Sequence, residues 1–176
     1  MRFIEMELED AVTVDANMNG DERGYLATVF DAEEFEHTGL SSKVALCNLS
    51  YNWKSGTLRG MHYRTTPESR LVRCVGGEIY NVIVDLRPDS GTYMQWEGTF
   101  LNPQNAMAVY VPRGFAHGYQ TMQNNTTVLY QTSDVYTPEL ERGFRWDDPA
   151  FNIQWLINNP IINKKDETWP NYEVID

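Results

Sequence analysis

Cysteine, histidine and positive charge are all scarce in this sequence. Its 176 residues hold two cysteines and three histidines, and 14 lysines and arginines stand against 25 aspartates and glutamates, a formal net charge of −11. Cys47 and Cys74 share no CxxC spacing and no neighbouring Cys/His pair. That spacing excludes the common structural zinc patterns, and a chain this long has no need of a disulfide. Both read as reduced, mostly buried thiols. The longest basic run is Lys164-Lys165, so nothing offsets the repulsion between such an acidic surface and a nucleic-acid backbone. No apolar run approaches the roughly 18 residues of a membrane-spanning helix. The opening MRFIEMELEDAV scatters charge among its apolar residues and lacks a signal-peptide core. The expectation is a cytoplasmic protein that binds neither nucleic acid nor membrane. Repeats, linkers and low-complexity stretches are also missing, so residues 1–176 read as one domain.

What is abundant is strand signal. Residues 44–51 (VALCNLSY), 57–63 (TLRGMHY), 69–75 (SRLVRCV), 78–86 (EIYNVIVDL), 93–101 (YMQWEGTFL), 106–112 (AMAVYVP) and 126–133 (TTVLYQTS) are short and rich in β-branched and aromatic residues, with Gly, Pro, Asn or Asp between them. Strands at such regular spacing, without helices between them, indicate an all-β antiparallel sandwich or jelly roll with its core over about 43–133. Residues 31–38 (DAEEFEHT) predict a short peripheral helix, with Asp31 as cap and Gly39 as stop. Residues 134–176 are less regular, with one possible short helix, and pack on the core through Trp146, Trp155 and Trp169.

The histidines narrow the chemistry. His37 lies in the polar helix and reads as solvated. His62 lies in LRGMHY, three residues after Arg59, and His117 follows a Pro-x-Gly turn in VPRGFAHGY. For both, a satisfied core histidine is the competing reading. No metal or cofactor motif is present, so chemistry falls to side chains. A histidine base, a tyrosine acid and several arginines suit proton transfer beside a carbonyl on a phosphorylated substrate.

Pro112, Gly114 and His117 match the PxGxxH half of the cupin signature. The other half, a His-x-His pair with a glutamate, is missing around His62, which leaves too few ligands for a metal. Over most of its length the chain resembles the dTDP-4-dehydrorhamnose 3,5-epimerase family of cupins. The likeness is carried in order by DERGYLATVF, LRGMHY, RLVRCVGGEIYNVIVDLR, VPRGFAHGYQT, LYQTSDVYTPELERGFRWDDPAFNIQW and INKKD.

The resemblance implies a cupin-type jelly-roll homodimer that inverts C3, C5 or both of a nucleoside-diphosphate 4-keto-6-deoxy sugar, without metal or cofactor. It implies His62 as the base, Asp166 as its orienting partner and Tyr130 as the acid on the opposite face. Arg70 would stand where the family steadies the enolate with a lysine. Arg59 would reach a diphosphate oxygen, and His117 the sugar or its carbonyl oxygen. Asn48, Tyr136 and Glu141 would line the pocket, and Arg23 would cross to complete the partner's pocket.

The match departs from the family in three places. Arg70 replaces the lysine, and a planar fork must meet the oxyanion differently from an ammonium. Leu46 replaces a glutamine in the Q-x-N-x-S strand pattern, and Thr28 replaces a glutamate. Both of the latter fall at the nucleotide end, which leaves CDP- or GDP-linked sugars and a single inverted centre open. A ketoisomerase and a non-catalytic sugar-binding cupin are the other readings. Tyr130 with Asp166 speaks against the binder, which has no use for an acid opposite an oriented base.

Overall fold

β-Branched and aromatic residues side by side favour extended backbone, and that tendency carries through most of this chain. The computed structural model describes residues 1–173. Its strands are β1 (Arg2–Glu5), β2 (Val12–Asp15), β3 (Asn19–Asp21), β4 (Gly24–Leu26), β5 (Leu46–Asn52), β6 (Leu58–Arg64) and β7 (Arg70–Gly76). They continue with β8 (Ile79–Asp85), β9 (Trp96–Leu101), β10 (Met107–Val111), β11 (Phe115–Thr121), β12 (Thr126–Thr132) and β13 (Glu141–Gly143). The helices are α1 (Ala32–His37) and α2 (Lys164–Glu167), with a 3-10 turn at Pro138–Leu140.

Two antiparallel sheets, ordered β1-β2-β10-β7-β12-β5 and β13-β6-β11-β8-β9, form an all-β jelly roll, and β3-β4 stands apart as a hairpin. The core between them joins Val72, Val109 and Val128 of the first sheet to Ile79, Ile83, Leu101, Phe115 and Tyr119 of the second. Burying each of the larger side chains contributes about 1.5–3 kcal/mol relative to exposure. Helix α1 covers the outer face of the six-stranded sheet through Phe35. Asp31 caps it by accepting from the Glu33 and Glu34 N–H groups. The C-terminal segment covers the other sheet, where Phe144, Phe151, Ile153 and Trp155 pack on Val82, Val84 and Ala116.

A strand outside the expected set stands at the centre of one sheet, and two expectations are corrected. The stretch after the Pro-x-Gly turn is strand β11, the centre of the five-stranded sheet. It is buried along its whole length and carries polar residues inward, so it lacks the alternation that marks a strand with one wet face. Strand β9 begins at Trp96 and not at residue 93, because the Gln95 N–H closes a turn onto the Thr92 carbonyl and Met94 takes φ 65°. Of the two free thiols only Cys74 is buried; Cys47 is exposed on edge strand β5. Strands β1 to β4 and β13 add to the predicted set.

One close approach positions the site. The register between β11 and β6 shifts between His117 and Tyr119, with His117 opposite His62. A Cβ at Gly118 would lie 2.6 Å from Met61 Sδ and 3.0 Å from the Arg59 carbonyl oxygen, and one at Gly60 only 2.7 Å from Gly118 Cα. Gly60 also holds φ 127°, which L side chains rarely adopt. Gly118→Ala should lower stability by about 1–3 kcal/mol through overpacking. An unchanged thermal melt followed by circular dichroism would show that the strands do not need this contact.

Candidate active site

A cavity of about 690 Å³ opens between the two sheets. Strands β6 and β11 furnish one wall, with Arg59, His62, His117 and Tyr119; β5, β7 and β12 furnish the other, with Asn48, Ser50, Arg70 and Tyr130. The segments 134–141 and 163–166 close its rim with Asp134, Tyr136, Glu141 and Asp166. Every predicted site residue lines this cavity except Arg23. That residue sits between β3 and β4, its side chain 84% exposed and paired with Asp21.

The centre of the cavity is an imidazole held by a carboxylate. His62 Nε2 lies 2.8 Å from Asp166 Oδ1, and the Gly60 N–H donates to Asp166 Oδ2 at 3.2 Å. Asp166 is carried by α2, whose cap residue Asn163 accepts from the Asp166 N–H at 2.7 Å. Burial raises the Asp166 pKa, but the hydrogen bond and charge of His62 and the Gly60 N–H outweigh it and hold the pKa below the ordinary value. An ionised carboxylate only accepts, so His62 Nε2 carries a hydrogen, and in the neutral form of the ring the lone pair is on Nδ1.

His117 is a different kind of histidine. It is buried, and its Nε2–H donates to Asn81 Oδ1 at 2.7 Å. Burial first, then the nearby charges of Arg70 and His62, push its pKa well below the ordinary imidazole value. It is therefore a neutral imidazole near neutral pH. Arg59 spends its Nε–H on Asn52 Oδ1 at 2.9 Å and keeps its terminal nitrogens for the cavity. At the rim, Glu141 Oε2 accepts from Lys165 Nζ at 2.6 Å and from the Tyr136 hydroxyl at 3.3 Å. Burial raises the Glu141 pKa, yet Lys165 and the charge of His62 bring it below the usual carboxylate range.

Sequence reading missed several lining groups. Lys165 stood in view beside Asp166 but registered only as half of a basic pair. Glu68 bonds both Arg64 and Arg70, and its place in a loop gave no sign of this. Tyr119, on β11, shares a hydrogen bond of 2.9 Å with Ser50 Oγ in the cavity's polar lining. Leu46 lines the cavity as expected, whereas Thr28 does not. Among the described residues no three His, Cys, Asp or Glu side chains cluster as metal ligands would, and no helix is long and apolar enough to cross a membrane.

Residues 5–173 match the family model described as dTDP-4-dehydrorhamnose 3,5-epimerase. The chain belongs to the dTDP-4-dehydrorhamnose 3,5-epimerase family. The family is one of isomerases. The dTDP-4-dehydrorhamnose 3,5-epimerase of Methanothermobacter thermautotrophicus is 37% identical over 172 residues, which cover 96% of this chain and 92% of that protein. Among solved structures, the epimerase of Bacillus anthracis, with TDP and PPi bound, superposes with a TM-score of 0.94 at 34% identity, over 97% of this chain and 99% of that one. The Legionella pneumophila enzyme in complex with dTDP-4-keto-L-rhamnose gives a TM-score of 0.88 at 30% identity, with 98% of both chains covered.

The neutral state of His117 yields a prediction. Asn81→Asp would place a negative charge beside the buried ring and raise the His117 pKa, through the opposite-charge effect. An NMR pH titration of the His117 ring protons reads this directly. A titration unmoved by the substitution would show that Asn81 does not set the state of the ring.

Proposed function

We propose that this member of the family epimerises C3, C5 or both of a dTDP-linked 4-keto-6-deoxy sugar by proton transfer alpha to the ketone. The observation that carries the reading is the His62–Asp166 pair on one wall of a cavity whose opposite wall bears Tyr130. Inversion at carbon requires a base on one face of the sugar ring and an acid on the other, and one fixed imidazole cannot do both.

In this mechanism His62 Nδ1 takes the proton, and Asp166 stabilises the imidazolium that results. Charge then moves onto the ketone oxygen, where the Arg70 guanidinium steadies the enolate. Tyr130 delivers a proton from the six-stranded sheet to the other face, and the carbon leaves inverted. A phenol is a weak acid, but an enolate is basic enough to take its proton. His117, neutral and anchored through Nε2, accepts a sugar hydroxyl at Nδ1. Arg59 meets the diphosphate, and Asn48, Tyr136 and Glu141 complete the pocket wall. No metal or cofactor enters these steps.

The nucleotide-sugar substrate is supported by the ligands that the Bacillus and Legionella relatives hold. The exposure of Arg23 supports a homodimer in which the hairpin β3-β4 reaches the partner's pocket. The sequence as a whole supports a cytoplasmic enzyme.

The test is proton NMR in heavy water with dTDP-, CDP- and GDP-linked 4-keto-6-deoxy sugars supplied in turn. Deuterium is expected at C3, C5 or both of the dTDP sugar, and its absence from all three substrates would remove the reading. Tyr130→Phe should cut inversion about 100-fold or more, the scale of a lost general acid, while dTDP binding by calorimetry stays unchanged. His62→Asn should stop deuterium uptake. Exchange at the original rate would mean that another group is the base. Activity should also survive chelators, and a loss restored by a divalent ion would contradict the metal-free mechanism.

A further inference from the structure

Arg70 does not face the cavity freely. Its Nε–H donates to Glu68 Oε1 at 3.0 Å, and its Nη1 lies 3.5 Å from the His62 carbonyl oxygen. The second oxygen of Glu68, Oε2, accepts from Arg64 Nη1. The Glu68 side chain is only 7% exposed, and those of Arg64 and Arg70 are 8% and 14% exposed. Arg64 Nη1 also donates to the Val135 carbonyl at 3.1 Å, which ties the group to the rim segment. The loop that carries Glu68 is fixed in turn, because the Ser69 N–H donates to Ser133 Oγ at 3.0 Å. Arg70 Nη2 makes no hydrogen bond among the described residues, and Arg70 lines the cavity beside His62 and His117.

We propose that Glu68 is the positioning residue for Arg70: it grips the inner edge of the guanidinium, so that the outer edge is held toward the reacting carbonyl. This rests on the proposed function, in which Arg70 steadies the enolate. The chemistry of the fork makes the arrangement specific to arginine. A guanidinium has separate donors on Nε and on the terminal nitrogens, so it can bind a carboxylate on one edge and a substrate oxygen on another. An ammonium is a single point of charge. A lysine at position 70 would face a buried carboxylate already within reach and would settle on Glu68, away from the substrate. Arg64 prevents the opposite failure, in which Glu68 swings round and neutralises the outer edge of Arg70, because it occupies the carboxylate's other oxygen. Glu68 and Arg70 thus work as a matched pair, and neither is suited to its place without the other.

The matched pair predicts a particular pattern of coupling. Glu68→Gln should lower kcat at least tenfold with KM changed less than about threefold, since the guanidinium loses its orientation while the substrate keeps its other contacts. Arg70→Lys alone should lower kcat by a similar factor. The double variant Glu68→Gln, Arg70→Lys should be faster than either single variant, because the ammonium is then free to face the carbonyl. A double variant as slow as the product of the two single losses, or a Glu68→Gln enzyme with unchanged kcat, would overturn the proposal. If Glu68→Gln fails to fold, Glu68→Asp keeps the charge and draws it back by one methylene. It should lose part of kcat, and full activity there would overturn the proposal equally. The Arg70 Nε–H resonance of the unaltered protein separates this inference from the functional one. It should exchange slowly with solvent, and rapid exchange would remove the clamp. A protected resonance in a protein that turns over no keto sugar would leave the clamp standing and remove the assigned reaction.

Discussion

A carboxylate taken out of water must be matched by donors, and the arrangement of this molecule's centre follows from how Asp166 meets that demand. The side chain is almost wholly buried, so it can persist as an anion only where hydrogen bonds reach both oxygens. His62 supplies one and the Gly60 backbone the other. The second is available because Gly60 lies against Gly118 without a Cβ on either residue. Two glycines on neighbouring strands, a shifted register and a short capped helix thus converge on one requirement. The outcome is an imidazole with a fixed tautomer at the wall of a cavity.

Charge in that cavity is balanced residue by residue. Although the chain carries a net −11, the cavity brings Arg59, Arg64, Arg70 and Lys165 together with Glu68, Asp134, Glu141 and Asp166. All four carboxylates are committed to protein partners: Asp166 to His62, Glu141 to Lys165, Glu68 to two arginines and Asp134 to Lys43. Arg59 and Arg70 spend Nε on the protein and keep terminal donors at the cavity. Such a site can receive an anionic ligand on a strongly acidic protein, because local geometry and not net charge decides what the ligand meets.

The all-β architecture was legible because seven strands advertise themselves through β-branched residues and turn punctuation. Strand β11 was not, because a central strand covered on both faces loses the alternation that exposes a pattern. Its polar residues His117 and Gln120 resemble loop residues until their partners, Asn81 and the backbone around Ile157, are seen. In the site, His62, Asp166 and Tyr130 were legible only by likeness to a family, since no spacing rule places residues 104 positions apart at 2.8 Å. Glu68 and Lys165 were beyond reach for a related reason. The roles of both depend on a salt-bridge partner, and a salt bridge is a property of folded geometry that a local run such as ESRL or NKKD does not encode.

The carrier of Asp166 is slight compared with the barrel. Helix α2 spans four residues and is mostly exposed apart from Asp166 itself; its ties to β6 are the bonds of Asp166 to His62 and the Gly60 N–H, and the chain before it is held by the single bridge between Thr57 and Ile161. Segments with few buried contacts open at free energies well below that of global unfolding. Competence and folding are therefore separate thresholds in this molecule. On warming, a population should arise in which both sheets are intact, the cavity is formed and the imidazole has lost its partner, a native barrel that has stopped being a catalyst.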